Sequence, residues 1–341
     1  MRLFSLYRSF VMMLLLNVAF SLGAETIFYD VVVIGLGPGG VEAGARTASA
    51  GLKTLIVGRE RGGQLSAASQ PVQNVFAVSP KPGAAIMSDA IRQAEDFGAE
   101  ICEGTVTNIS FSWSPYLVEI DGFKKIYARA LVVATGSHPR RLSVPGEEEY
   151  WGRGVSACAL CDAFFYRDAT VAVVGGGDAA VDEAIHLAHY AKRVVVLVRG
   201  GRMRAQRFMQ EKLKQYSQIE LRYGEEVEEI LGNDNFVTAL RLRNNKTGDR
   251  TLEKFDGLFL AIGHEPNNEL LRGVLELDQR GFVRVHDGST EVIGYPGVFA
   301  TGEIMGLQRR QVNVVVGVAT QTGLEVNDYL SFGISRNQIP K

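Results

Sequence analysis

One glycine-rich unit occurs twice in this chain of 341 residues, and it restricts the possible folds more than any other feature. In the first copy, a largely apolar stretch at 30–34 leads into the glycines Gly35, Gly37 and Gly40, and a second apolar stretch follows at 54–57. This order predicts a buried strand, a tight turn, a helix and a parallel strand, which together open a dinucleotide-binding fold. The glycines let the backbone approach a pyrophosphate, which the unpaired N–H groups of the helix N-terminus then face.

The second copy begins 140 positions further on, at Gly175, and continues with Gly177 and Ala180. A second repeat, at a shift of 127 positions, relates 130–139 to 257–266, and each of these stretches is expected to close its own unit. Two dinucleotide folds imply two dinucleotides, one a tightly held redox cofactor and the other its electron source. We therefore expect an α/β protein with two Rossmann-like, three-layer dinucleotide-binding domains.

The chain is expected to return to the first unit near its C-terminus. The stretch 297–303 has the pattern of a further strand and turn, and it ends on an acid that could meet a ribitol or a phosphate of the first dinucleotide. The first domain is then discontinuous. We expect it at 25–140 and 266–341, with the second domain inserted at 141–265.

A pair of cysteines, Cys158 and Cys161, lies between the two glycine signatures. Two cysteines at this spacing can form a disulfide, hold a metal or do neither. One other cysteine, Cys102, is present, and no histidine lies within ten residues after Cys161, so a four-ligand zinc site cannot be completed locally. Three cysteines are also too few for a fold held together by disulfides, so a redox-active dithiol and no metal are expected.

Asp162 follows the pair, and its negative charge cannot lower the pKa of a thiol directly. It makes better sense as a group that gives and takes a proton, once burial raises its pKa. Capping the helix start at 163–166 is the alternative role. The neighbouring Phe164 and Phe165 are interpreted as core residues.

The motifs, in order, resemble those of the low-molecular-weight, bacterial-type thioredoxin reductases, which are class II pyridine nucleotide-disulfide oxidoreductases. The resemblance runs from about Tyr29 to the C-terminus, and its most specific part is the segment around Cys158. The motifs are Gly35-Leu-Gly-Pro-Gly-Gly40, Gly62-Gly-Gln-Leu65, Ala134-Thr-Gly136, Gly154-Val-Ser-Ala-Cys-Ala-Leu-Cys-Asp-Ala-Phe-Phe-Tyr166, Gly175-Gly-Gly177, Ala261-Ile-Gly-His-Glu-Pro-Asn267 and Arg310-Gln311.

The resemblance implies FAD on the discontinuous domain, NADPH on the inserted one, thioredoxin or a thioredoxin-like protein as substrate, and a homodimer. Cys161 would take electrons at the flavin, Cys158 would attack the protein substrate, and Asp162 would handle the proton. The residues implied to contact FAD are Gly35, Gly37, Pro38, Gly39, Gln64, Asn74, Thr135, Gly302, Glu303, Arg310 and Gln311. Those implied to contact NADPH are Gly177, Asp178, Ala179, Arg199 and Arg204.

Three positions depart from the family's pattern. Gly200 stands where a second arginine is usual, which weakens the preference for NADPH and leaves NADH open, although the guanidinium groups of Arg199 and Arg204 favour a 2′-phosphate. Glu303 stands where an aspartate is usual. After Asn74 the chain reads Val-Phe-Ala in place of Trp-Pro-Gly.

Three other functions remain open: the flavoprotein component of an alkyl hydroperoxide reductase, a dithiol oxidase, and a redox-sensing flavoprotein that turns over slowly. In the leading interpretation, nicotinamide, flavin and protein substrate all need access to one dithiol. We therefore predict a rotation of the inserted domain about two connecting segments, 140–146 and 264–268.

The ends and the charge of the chain bear on its partners. A formal net charge of −2 with a mixed distribution argues against nucleic acid. Residues 1–24 combine Arg2 and Arg8 with an apolar run at 10–22 and small residues after it, as in a signal peptide or an organelle-targeting segment. This run is shorter than the ~17 to 25 residues that span a bilayer, so no stable membrane span is expected after processing. The family is cytoplasmic, so the compartment stays open.

Overall fold

The computed structural model describes residues 27–68, 71–112, 114–333 and 335, so the predicted targeting segment 1–24 lies outside the described residues. The chain divides into two compact units. Unit 1 comprises Met1–Gly63, Ser88–Gly136 and Asn268–Lys341, and unit 2 comprises Gln64–Met87 and Ser137–Asn267. The domain boundaries and the cofactor of each domain stay predictions.

The strands are β1 (Ile27–Ile34), β2 (Thr54–Gly58), β3 (Glu100–Glu103), β4 (Val106–Ser110), β5 (Tyr116–Ile120), β6 (Lys124–Val133), β7 (Ser137–Pro139), β8 (Val155–Ser156), β9 (Thr170–Val174), β10 (Arg193–Val198), β11 (Ile219–Tyr223), β12 (Glu225–Gly232), β13 (Val237–Asn244), β14 (Arg250–Lys254), β15 (Gly257–Leu260), β16 (His264–Pro266) and β17 (Val298–Ala300). The helices are α1 (Pro38–Ser49), α2 (Gly63–Ser66), α3 (Gly83–Asp96), α4 (Ala159–Asp162), α5 (Asp178–Ala188), α6 (Arg207–Leu213) and α7 (Val312–Phe332). Among the described residues, 3₁₀ helices span Ala163–Tyr166 and Gly302–Met305.

Unit 1 is built on a sheet whose described strands have the order β3-β2-β1-β6-β5-β4, with β17 paired to β6. The strands β3, β2, β1, β6 and β17 run parallel, whereas β4 and β5 add an antiparallel edge. Helices α1 and α7 pack against each other. Small residues allow this approach: a Cβ added at Gly323 of α7 would lie 2.4 Å from the Cβ of Arg46 in α1.

Unit 2 repeats the order of unit 1 in the sheet β11-β10-β9-β15-β8, which is parallel throughout the described strands. Alternate residues of β9 point to opposite faces of the sheet, as the two-residue period of a strand requires. Val171 and Val173 belong to the core that includes α5, while Ala172 and Val174 belong to the core that includes the antiparallel sheet β12-β13-β14. The unit therefore has three layers.

No helix in the part of the chain that the structure describes is both long enough and apolar enough to cross a bilayer.

Candidate functional site

Cys158 and Cys161 form a disulfide at the start of α4 in unit 2. The short strand β8 pairs in parallel with β15 and brings the chain to Cys158, the N-cap residue of α4. The backbone N–H of Cys161 donates to the Sγ of Cys158 over 3.2 Å. A hydrogen bond of this kind stabilises negative charge on the accepting sulfur, so the local geometry favours Cys158 as the thiolate once the pair is reduced.

Asp162 is connected to Cys158 through Ser156. The Ser156 hydroxyl donates to Oδ2 of Asp162 over 2.6 Å and accepts the N–H of Cys158 over 3.0 Å. Burial raises the pKa of Asp162, and the hydrogen bond from Ser156 opposes this in part. Asp162 does occupy the N-cap position of the 3₁₀ helix that follows, as the alternative interpretation expected, but its side chain makes no capping hydrogen bond there. A partly buried carboxyl with a raised pKa is suited to carry a proton.

Glu183 is a second acid at this site, and the sequence interpretation did not identify it. It lies on α5, and its Oε2 accepts the N–H of Ala159 over 2.5 Å. Burial raises its pKa to about 7; the Ala159 hydrogen bond acts in the opposite direction, and the charges of Asp162 and Asp182 raise the pKa further. The repeat could have identified Glu183. The shift of 140 positions relates it to Ala43, a fully buried alanine in α1, so an acid stands where the first copy has a buried apolar residue.

Large apolar side chains are exposed beside the disulfide. Leu160, Phe164 and Phe165 are 49%, 48% and 40% exposed, so the interpretation of Phe164 and Phe165 as core residues is wrong. In the 3₁₀ helix, Ala163 is buried and Tyr166 packs edge-on against Phe259, which leaves the two phenylalanines on the outer side. An exposed apolar surface around a disulfide is suited to contact a protein.

The first glycine turn leaves room for a ligand. Gly35 has φ +134°, and a Cβ there would lie 2.1 Å from the carbonyl oxygen of Ala134. At Gly37, by contrast, no described residue other than Gly37 and its two chain neighbours has an atom within 4 Å of an added Cβ. Pro38 begins α1, as its fixed φ and missing N–H favour.

Two buried polar atoms of unit 1 provide a second test of the fit to a dinucleotide. Thr301 Oγ1 and Arg310 Nε have no hydrogen-bond partner among the described residues. Burial lowers the pKa of the Arg310 guanidinium, and the charge of Glu303 opposes this. Buried polar atoms without a partner indicate that an outside group completes their hydrogen bonds. The side chains of Thr301, Arg310 and Glu303, together with the open turn at Gly37, therefore fit an anionic dinucleotide such as FAD.

The residues predicted to contact FAD are divided between the two units. Gln64 and Asn74 lie in unit 2, where Nε2 of Gln64 donates to the carbonyl of Ser137 over 2.6 Å. Unit 1 holds the others, namely Gly35, Gly37, Pro38, Gly39, Thr135, Gly302, Glu303, Arg310 and Gln311. Their roles as contacts stay predictions.

The second glycine turn has the same form as the first. Gly175 has φ +151°, and an added Cβ would lie 2.5 Å from the carbonyl oxygen of Ala261. Gly177 has open space around it and precedes Asp178, the first residue of α5, and then Ala179. Oδ1 of Asp178 accepts the N–H of Gln206 over 2.7 Å, which ties the following loop to the start of the helix.

That loop carries the arginines predicted for the nicotinamide dinucleotide. The carbonyl of Arg199 accepts from the side chain of Asn245 over 3.1 Å, and the N–H of Arg204 donates to Gly176 over 2.6 Å. Both arginines are exposed. The backbone of the loop is thus held at both ends while two guanidinium groups remain accessible, an arrangement that fits a phosphate.

Known proteins are similar to this chain over most of its length. The family model described as pyridine nucleotide-disulphide oxidoreductase matches residues 29–323. NADPH-dependent thioredoxin reductase 3 of Arabidopsis thaliana is 36% identical over 321 residues, which are 91% of this chain and 60% of that protein. Thioredoxin reductase of Coxiella burnetii is 34% identical over 313 residues, 89% of this chain and 96% of that protein. This chain thus spans less than two thirds of the Arabidopsis protein and nearly all of the Coxiella protein.

Among solved structures, the thioredoxin reductase from Streptococcus pyogenes is similar with a TM-score of 0.82 at 32% identity, covering 90% of this chain and 99% of its own. The likeness confirms the predicted α/β fold class with two Rossmann-like units.

Proposed function

Because the chain belongs to the pyridine nucleotide-disulphide oxidoreductase family and is similar over most of its length to low-molecular-weight thioredoxin reductases, we propose that it is a thioredoxin-disulfide reductase. The observation that carries the proposal is the Cys158–Cys161 disulfide in the nucleotide-binding unit 2, with one sulfur accepting a backbone N–H and an acid two hydrogen bonds away. The substrate is a thioredoxin or a thioredoxin-like protein.

Unit 1 would hold FAD through the first glycine turn, Thr301, Glu303 and Arg310, and unit 2 would hold NADPH through the second turn, Arg199 and Arg204. When bound, the two cofactors supply the electron pair that opens the Cys158–Cys161 disulfide. The preference for NADPH over NADH rests on the two exposed arginines, since guanidinium groups bind a 2′-phosphate.

The dithiol completes the reaction with its own two sulfurs. The Cys158 thiolate attacks one sulfur of the substrate disulfide, which forms a mixed disulfide and releases the other substrate sulfur as a thiolate. The Cys161 thiolate then attacks Cys158 Sγ, the mixed disulfide breaks, and the Cys158–Cys161 bond forms again. The two electrons of the dithiol leave with the substrate, which becomes a dithiol after it takes up protons.

Asp162 and the exposed apolar side chains support these steps. Asp162, with its raised pKa, can hold the proton that a thiol loses on becoming a thiolate and return it later. Leu160, Phe164 and Phe165 provide an apolar surface on which a protein substrate can bring its disulfide to Cys158. A small-molecule substrate would not need such a surface.

The test is NADPH oxidation by the FAD-loaded enzyme in the presence of an oxidised thioredoxin. We expect Cys158→Ser to lower thioredoxin reduction on the order of 10³-fold or more, because the variant has lost the attacking sulfur, while NADPH still bleaches the flavin absorbance. The matched control is Cys102→Ser, which changes the cysteine outside the pair.

Activity that survives in Cys158→Ser would overturn the assignment of the dithiol. NADPH oxidation by the wild type that depends on oxygen or a hydroperoxide and is unaffected by thioredoxin would indicate a dithiol oxidase or a hydroperoxide reductase component instead. Light scattering would test the proposed homodimer, and N-terminal sequencing of the mature protein with cell fractionation would test the proposed targeting segment.

A further inference from the structure

Glu183 takes no part in the thiol–disulfide exchange described above, yet it contacts the helix that carries the two cysteines. Its carboxylate accepts the N–H of Ala159, which is the first residue of α4 and is fully buried. The first N–H groups of a helix have no partner inside the helix. An acid on the neighbouring helix α5 therefore caps the dithiol helix from outside.

The backbone at Cys158 is held on both sides by side chains. Its own N–H is bound by the Ser156 hydroxyl, and the next N–H, that of Ala159, is bound by Glu183. With these two amides fixed, Cys158 Sγ remains within 3.2 Å of the N–H of Cys161. Loss of either side chain would let the first turn of α4 move relative to α5.

Two acids among the described residues raise the pKa of Glu183 by their charge. Asp162 on α4 and Asp182 on α5 both act on it, and burial together with Asp162 raises the pKa of Tyr166 in the adjacent 3₁₀ helix, which keeps that phenol neutral. Since the pKa of Glu183 is raised to about 7, its carboxyl changes charge in the neutral range. A carboxylate near a thiol disfavours the thiolate, whereas a protonated carboxyl does not.

We propose that Glu183 is a positioning residue for the dithiol: it fixes the backbone at Cys158 through the Ala159 amide, and its charge sets how readily the Cys158 sulfur reacts. The inference rests on the proposed function in taking Cys158 as the attacking sulfur. At the equivalent position of unit 1, where no dithiol helix is present, α1 has the buried Ala43.

Two substitutions separate the positional effect from the effect of charge. Glu183→Gln keeps an oxygen that can accept the Ala159 N–H and removes the charge, while Glu183→Met keeps the length and removes the acceptor as well. The matched control is Glu211→Gln, an acid on α6 that is exposed and paired with Lys214 over 2.9 Å. Far-UV circular dichroism and the flavin spectrum check that each FAD-loaded variant is folded.

The measurement is the rate at which iodoacetamide alkylates Cys158 in the reduced enzyme, from about pH 5 to about pH 9, with the site identified by tandem mass spectrometry. We expect Glu183→Gln to move the rate–pH curve to lower pH by about half a unit or more, because a like charge no longer opposes the thiolate. In turnover with thioredoxin, we expect Glu183→Met to lower kcat about tenfold and Glu183→Gln to keep it within about twofold.

A Glu183→Gln curve that coincides with those of the wild type and Glu211→Gln would overturn the role of charge, and equal kcat values for the Gln and Met variants would overturn the positional role. If Glu183→Met does not fold, the Glu183→Gln curve alone decides. Alkylation requires neither thioredoxin nor NADPH, so a failure of this inference is distinguishable from a wild type that does not reduce thioredoxin.

Discussion

The two nucleotide-binding units place different chemistry at one topological position. In unit 1, β17 pairs with β6 so that Val298 lies opposite Leu131; in unit 2, β8 pairs with β15 so that Val155 lies opposite Leu258. Leu131 and Leu258 are equivalent under the shift of 127 positions. The strands β17 and β8 therefore occupy the same place beside their sheets.

The residues just after these two strands distinguish the units. Three residues after Val298 comes Thr301, the N-cap of the 3₁₀ helix Gly302–Met305, and three residues after Val155 comes Cys158, the N-cap of α4. One position thus carries a buried hydroxyl without a partner among the described residues in unit 1 and a disulfide-bonded sulfur in unit 2. Each unit therefore has a helix that begins at the same place beside its sheet. Unit 1 is proposed to use this helix start for a cofactor, and unit 2 is proposed to use it for the dithiol.

The helices after the two glycine turns also differ at one equivalent position, Gly40 and Ala180. A substitution there has the largest expected effect on stability. A Cβ added at Gly40 would lie 1.9 Å from the carbonyl oxygen of Gly35, whereas the equivalent Ala180 of unit 2 already carries a buried Cβ. We expect Gly40→Ala to destabilise unit 1 by about 3 kcal/mol or more, because backbone must move. Urea unfolding and the FAD retained after gel filtration measure this.

The matched control for that substitution is Ala180→Gly, which gives unit 2 the residue that unit 1 has. We expect it to cost only about 1 kcal/mol, the effect of a glycine inside a helix. Equal losses from the two variants would show that the turns are packed alike and would remove this difference between the units.

The sequence was sufficient to predict the repeated turns because both are local patterns in which spacing and residue type determine the structure. It could not show that β17 and β8 are equivalent, because β17 follows β6 in the chain whereas β8 precedes β9, so no constant shift relates them. Phe164 and Phe165 were placed in the core because apolar residues usually lie there. The direction of a side chain in a four-residue helix, however, depends on tertiary packing.

The equivalent residues Ala43 of unit 1 and Glu183 of unit 2 provide a second test of the comparison between the units. The quantity measured is the stability of the protein and not the reactivity of Cys158. The folded protein raises the pKa of Glu183 from 4.5 to about 7, so it binds the proton more tightly than the unfolded chain. The resulting stabilisation is fully present below pH 4.5 and is lost as the pH rises to about 7. Glutamine does not titrate, so Glu183→Gln should gain stability relative to the wild type between about pH 5 and about pH 8.

We expect this gain to be about 1 to 2 kcal/mol, less than the full pKa change would correspond to, because solvent reaches part of the carboxyl. Urea unfolding of the wild type and of Glu183→Gln, at about pH 5 and at about pH 8, measures this gain in the free energy of unfolding. In Ala43→Gln, which places the same amide at the equivalent position of unit 1, no such change of relative stability with pH should occur. A gain that is the same at both pH values would show that Glu183 does not titrate in this range.

The smallest expected effect concerns the ends of the second strands. Unit 1 has Glu60 after Arg59, and unit 2 has Gly200 after Arg199. Apart from Gly200 and its two chain neighbours, the nearest atom of the described residues to a Cβ added there is the carbonyl oxygen of Arg202 at 3.8 Å. A side chain therefore fits at Gly200. We expect Gly200→Arg to raise kcat/KM for NADPH about tenfold, or about 1.4 kcal/mol, and to leave that for NADH unchanged, because a second guanidinium can bind the 2′-phosphate.

The neighbouring Gly201 supplies the control, since it too has open space around it and Gly201→Arg adds the same charge one position further along the loop. An identical gain in both variants would mean that general attraction of an anion, and not a defined phosphate contact, produces the effect. A gain in Gly200→Arg alone would show that the end of β10 selects the nucleotide, whereas the acid at the equivalent position of unit 1 would repel a phosphate there.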